Sequence, residues 1–206
     1  MPALKMPEQI RLVLEARREA AFSRCHECDA GCCNGPGFAI LENVMQIYER
    51  YRRGLLVRSD LDFEPGMTLG QFVFSYFDRA IINDGLLLFF PKMVTDDSRL
   101  LSVPPWNFWQ AREYLLRRNR SYGCIFLDRR RTDDDTRFNP CILHGNPKIQ
   151  EEITEMPIDC MYCQCSALRQ IVKPRAEESS QWFRLLETHF PGSVQRYKAL
   201  CPDDLE

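Results

Sequence analysis

Apolar positions along the chain recur with two different periods. Ile10, Val13 and Leu14, with the row continued by Arg17, return at three and four residues, the spacing that gathers side chains on one face of a helix. Pro7 suits a first-turn position because it has no N–H to leave unsatisfied, and Glu8 lies near the positive helix end. The pattern predicts a helix over residues 7–24, ending at the first cysteine. Cys25 to Gly37 carries Gly31, Gly35, Pro36 and Gly37 and is predicted to be a loop. Ile40, Val44, Ile47, Tyr48 and Tyr51 repeat the helical spacing, with Gly54 placed to close a second helix. Residues 55–67 read as irregular. Thr68 then precedes Leu69, Phe72, Val73, Tyr76, Phe77 and Ile81, which predicts a capped third helix closed by Asn83-Asp84-Gly85.

Beyond Gly85 the pattern shortens. Leu86 to Val94 and Ser98 to Val103 flank Thr95-Asp96-Asp97, as in a short hairpin, and Pro91, lacking an N–H, pushes its strand to an edge. Trp106 to Asn119 reads as a helix and Tyr122 to Leu127 as a short extended segment bracketed by Gly123 and Asp128. Arg129-Arg130-Arg131 followed by Asp133-Asp134-Asp135 has no apolar partner and reads as a solvated turn. An irregular, cysteine-bearing stretch leads to Cys165, and helical patterns cover residues 179–190 and 193–200. No internal repeat is present. The expected fold is mainly α with a small β-hairpin (α+β), its helices packed around a cysteine-rich metal centre. It forms one domain over residues 1–206, with a metal-chelating core over 25–165 and a C-terminal helical extension over 166–206.

Composition narrows the function. The 206 residues, 45% hydrophobic and 27% charged, are enough to bury a core without covalent staples. A formal charge of −2 and a pI near 6.0 speak against nucleic acid as a mainly electrostatic partner. The first residues hold no apolar stretch like a secretory signal, and the strongest apolar run, Gly85 to Phe90, is too short to span a bilayer. A cytoplasmic chain with no membrane partner is expected. That expectation bears on the ten cysteines, because a reducing compartment turns a dense cysteine pattern from disulfides toward metal.

Four of those cysteines, Cys25, Cys28, Cys32 and Cys33, fall within nine residues. Two cysteines separated by two residues curl around one metal, since the turn between them brings both sulfurs to one side with backbone N–H groups aimed at them. Glycines at 31, 35 and 37 let the backbone approach closely. Cys32 and Cys33 are adjacent, and consecutive side chains diverge, so either they serve two sites or one is a spare. Cys124, Cys141, Cys160, Cys163 and Cys165 bring the candidate ligands to nine, enough for two four-ligand sites. So many thiolates repel one another without a cation between them. His144 stands three residues after Cys141 and is a further candidate, as is His26 inside the first block; Cys201, at a helix end before Pro202, reads as a packing residue. No nucleophile elbow, phosphate loop or dinucleotide fingerprint occurs.

The block Cys25, Cys28, Cys32, Cys33, the segment Gly123-Cys124-Ile125-Phe126-Leu127 and the segment Cys141-Ile142-Leu143-His144-Gly145-Asn146-Pro147 resemble the zinc- or iron-chelating cysteine-cluster proteins of the CxxCxxCC type, over residues 25–165. The resemblance implies chelation through cysteines and raises Cys124 and Cys141 as ligands. Family members continue after the Cys141 position through a tyrosine and an Arg-Pro pair to another cysteine. Here His144, Asn146-Pro147 and Gln150 stand there, so one ligand is missing and Cys160, Cys163 or Cys165 is its replacement by proximity. A more distant similarity links the family to flagellin lysine methylases, which are much longer, and methylation is not carried over. Three functions follow: a metal-binding protein holding an iron–sulfur cluster, expected as 4Fe–4S, or zinc, with a redox or iron-related role; a zinc-stabilised module that binds a protein partner; and a metalloenzyme with an open cluster position beside Trp106, Phe108 and Trp109.

Overall fold

The computed structural model describes residues 4–25, 37–82, 85–95, 98–102, 122–128, 141–143, 153, 155, 158–161 and 176–204. In chain order these form helices α1 (Glu8–Cys25), α2 (Leu41–Arg52) and α3 (Leu69–Tyr76), then strands β1 (Phe77–Ile82), β2 (Leu86–Pro91), β3 (Met93–Thr95), β4 (Leu100–Leu101) and β5 (Tyr122–Cys124). A single turn α4 (Ile158–Met161), helices α5 (Ala176–His189) and α6 (Ser193–Leu200), and a closing 3-10 turn at Pro202–Asp204 complete them. The class is α+β. The strands form two antiparallel sheets, β1 with β2, and β3 between β4 and β5, so the β content exceeds the one small hairpin expected.

The organising element is β2. Its residues Leu86 to Pro91 are all buried, and because successive side chains point to opposite faces they feed two separate cores. Leu87 and Phe89 join the first, made by Val44, Ile47 and Tyr51 of α2, Phe72, Val73 and Tyr76 of α3, Phe77, Ile125, Phe126, Ile142, Leu143, and Val194 and Tyr197 of α6. Leu86, Leu88 and Phe90 join the second, with Ile10 and Leu14 of α1, Phe38, Ile40, Ile153, Ile158, Trp182 and Leu186 of α5, and Phe190 just after it. A strand buried on both sides must find partners for its backbone within the protein. β1 takes one edge, from Phe77 opposite Pro91 to Ile82 opposite Leu86. On the other edge Ala39 and Phe89 exchange N–H···O bonds of 2.7 and 2.9 Å, and the Ser193 hydroxyl accepts from the Leu87 N–H at 2.8 Å while donating to the Gly85 carbonyl at 3.1 Å.

That demand explains where the third helix departs from its sequence pattern. Thr68 caps α3, accepting from the Gln71 N–H at 3.3 Å while the Gln71 side chain accepts from the Thr68 N–H at 2.9 Å. The helix then stops at Tyr76, and Phe77 adopts an extended backbone to begin β1. The stripe predicted through Ile81 belongs to two elements: Phe77 is buried and Ile81 is exposed. Gly85, the last residue of the predicted helix end Asn83-Asp84-Gly85, instead directly precedes β2. The predicted 86–94/98–103 hairpin survives only in β3 and β4, where Met93 faces Leu101 and Val94 faces Leu100. Pro91 sits at the last pairing of a two-stranded ladder, as its missing N–H requires.

The first two helices stand where predicted, while the predicted loop after Cys25 lies, over residues 26–36, outside the described residues. α1 opens with the Pro7 carbonyl accepting from the Arg11 N–H, and α2 is closed by Gly54 at φ 68°, a left-handed conformation that glycine adopts without steric cost. The predicted helix over 106–119 and the charged turn over 129–135 lie outside the described residues. Among the described residues no helix is long and apolar enough to cross a membrane.

The C-terminus is fastened to β1 by a polar cluster. The Tyr197 hydroxyl and the Arg79 guanidinium both donate to the Asp204 carboxylate, and Arg79 also donates to the Asp204 carbonyl at 2.7 Å. Burial, reinforced by the Asp204 hydrogen bond, pushes the Tyr197 phenol well above its ordinary 10.0; burial also raises the Cys201 thiol. Above pH 10 an unfolded Tyr197 loses its proton while the folded one keeps it, so stability is complete below that pH and falls as pH rises past it. Urea midpoints are expected to decline between about pH 9 and about pH 11, and Tyr197→Phe to decline less steeply. An equal decline in both proteins would remove Tyr197 from this role.

Candidate metal centre

Two of the predicted ligands, Cys124 and Cys141, lie on segments joined through a backbone bridge at Leu127. β5 runs beside β3, with Cys124 opposite Met93. The chain then turns back on itself, the Leu127 N–H donating to the Cys124 carbonyl at 2.8 Å. Leu127 in turn faces Cys141 across an isolated antiparallel bridge, and the Ile142 N–H donates to the Phe126 carbonyl at 2.8 Å. Gly123 permits this: a Cβ there would meet Leu127 Cδ2 at 2.8 Å. The apolar residues of Cys-Ile-Phe-Leu and Cys-Ile-Leu supply the adhesion, since Ile125, Phe126, Leu127, Ile142 and Leu143 are buried. Cys124 and Cys141 are left half-buried on the border of the first core. Apolar backing on one side and access on the other is the setting a thiolate ligand needs, because the metal must enter while bulk water is kept from the sulfur.

The turn carrying Cys124 is also held from outside. Arg58, 8% exposed, donates from Nη1 to the Ile125 carbonyl at 2.8 Å, and from Nε and Nη2 to Asp60 at 2.6 and 2.9 Å. Asp128, 4% exposed, accepts from the Ser59 N–H at 2.8 Å and the Ser59 hydroxyl at 2.7 Å. No sequence signal foretells this: residues 58–60 lie in the stretch predicted as irregular, and no spacing rule pairs them with residues 125–128.

Cys160 sits elsewhere. It is exposed on α4, whose first residue, Ile158, is buried in the second core and donates from its N–H to Asn43 Oδ1 at 3.1 Å. Asn43 also accepts from the Ile40 N–H at 3.2 Å, so one buried side chain ties α4 to the start of α2. Cys25 is the last residue of α1, a helix whose Ile10 and Leu14 pack in the second core together with Ile158 of α4. The Cys25 side chain, Cys28, Cys32, Cys33, Cys163 and Cys165, with His26, His144, Trp106, Phe108 and Trp109, lie outside the described residues. Among the described residues no three of His, Cys, Asp and Glu gather closely enough to hold a metal ion. Cys201 is buried beside Tyr197 in the first core, as a packing residue, and His189 is half-buried, its Nε2 3.1 Å from Gln9 Oε1.

The chain matches no protein-family model, no curated protein and no solved structure.

Proposed function

We propose that this chain is a metal-binding protein that holds an iron–sulfur cluster, or zinc, through cysteine thiolates. The observation that carries the reading is the spacing Cys25, Cys28, Cys32, Cys33: four thiols at chelating intervals in a glycine-bearing stretch serve metal far better than packing. The setting of Cys124 and Cys141 supports it, because both residues, distant in sequence, lie partly buried against the same core. Nine candidate thiols with three histidines in the whole chain favour soft, thiolate-only coordination and put iron–sulfur ahead of zinc. A bound cluster would supply one-electron chemistry; the chain's part is to present thiolates, back them with apolar side chains and aim N–H donors at sulfur.

Protein purified without oxygen and assayed for iron, zinc and acid-labile sulfide tests this directly. Iron with sulfide and a broad absorption band near about 400 nm is the expected result. Colourless protein loaded with zinc would turn the reading to a zinc-closed interaction module, and protein free of both metals would end it.

A further inference from the structure

A buried guanidinium or carboxylate is expensive to desolvate, and apolar residues of the same volume stabilise a core at least as well. Arg58 and Asp128 are nonetheless both buried, and their bonds converge on one short turn. Arg58 holds the carbonyl at one end, on Ile125; Asp128, at the other end, is held by the N–H and hydroxyl of Ser59. Between those anchors lie the residues that set both thiols: Cys124 precedes the turn and bonds across it to Leu127, and Leu127 pairs with Cys141. The loop at 58–60 therefore grips the element on which the two sulfurs depend, without using either sulfur as a partner in these bonds.

We propose that Arg58 and Asp128 are positioning residues that fix the placement of the Cys124 and Cys141 thiols for coordination. The metal half of this statement rests on the proposed function above; the placement half does not. Outer contacts of this kind orient ligands in metal sites, and their loss costs about 10- to 100-fold in affinity. Arg58 acts through its fork: it reaches Asp60 and the Ile125 carbonyl at once, which a lysine ammonium cannot do with the same planar geometry.

Two readouts on the full chain separate the halves. The first is release of bound metal to a chelator. The second is coupling of metal-stripped, reduced protein by dibromobimane, which links two thiols within its short reach, with the Cys124–Cys141 product identified by peptide mapping. Arg58→Met, Arg58→Lys and Asp128→Asn are each expected to speed metal release and slow coupling by about ten-fold, with helical circular dichroism unchanged. Folded variants that couple and hold metal like the wild type would overturn the proposal. Wild-type protein that couples these thiols yet holds no metal would sink the metal-binding function and leave the placement intact. If the three variants fail to fold, Ser59→Ala decides: it removes one hydroxyl donor to Asp128, and an unchanged coupling rate there overturns the proposal.

Discussion

Replacing Cys25 or Cys28 by Ser is expected to lower metal content and melting temperature together, in the same preparation. A serine hydroxyl stays protonated at neutral pH and is a poor ligand for a soft or borderline metal, whereas thiolate is the preferred one. Ligation energy at a structural site is also folding energy, about 10–16 kcal/mol for zinc in small domains, so the loss of one ligand in four removes several kcal/mol. For a chain of this size each kcal/mol shifts the melting temperature by about 2–4 °C, which places the expected fall at about 10 °C or more. Cys201→Ser is the control. That residue lies in the first core beside Tyr197, so the change costs about 1–3 kcal/mol by burying a hydroxyl and leaves metal untouched. Metal analysis and thermal melts on the three variants check this, and unchanged stoichiometry in both Cys25→Ser and Cys28→Ser would defeat the site.

Much of the fold was legible because most elements carry their own signals. The Thr68 cap, the Gly54 stop and the spacing of Ile10 and Leu14 are local, and each marks a helix end or face that occurs where predicted. The failure at Phe77 to Ile82 has a different origin. A run such as Tyr76, Phe77, Ile81 satisfies a helical spacing, and what overrides it is the unpaired edge of β2, a demand that arises only once Leu86 to Phe90 is buried on both faces. For the candidate site the sequence offers residue types and spacing. Spacing singles out the cysteines, and the resemblance raises Cys124 and Cys141, which lie on the border of one core. It could not supply the bonds from Arg58 and Ser59, because these join residues 67 and 69 positions apart. Nor could it tell that the β1–β2 wall sets α1 and α4 on one side and the Cys124 turn on the other.

Phe89→Ala is the largest effect expected outside the cysteines. Phe89 is fully buried at the middle of β2, its backbone bonded both ways to Ala39. Its ring meets Phe77 edge-on at 6.4 Å and Tyr197 edge-on at 5.2 Å. Truncation therefore removes contacts to β1 and α6 at once and leaves a cavity that paired strands cannot easily collapse, at a cost of about 3–5 kcal/mol. The urea midpoint should fall accordingly while the slope of the transition is kept, since the surface exposed on unfolding hardly changes. Ile81→Ala is the companion measurement. In a continuous helix over 69–81 Ile81 would share the buried stripe and its truncation would be costly; on β1 it is exposed, and the expected change is within about 0.5 kcal/mol. A loss at Ile81 comparable to that at Phe89 would mean that β1 is not the strand that closes the edge of β2.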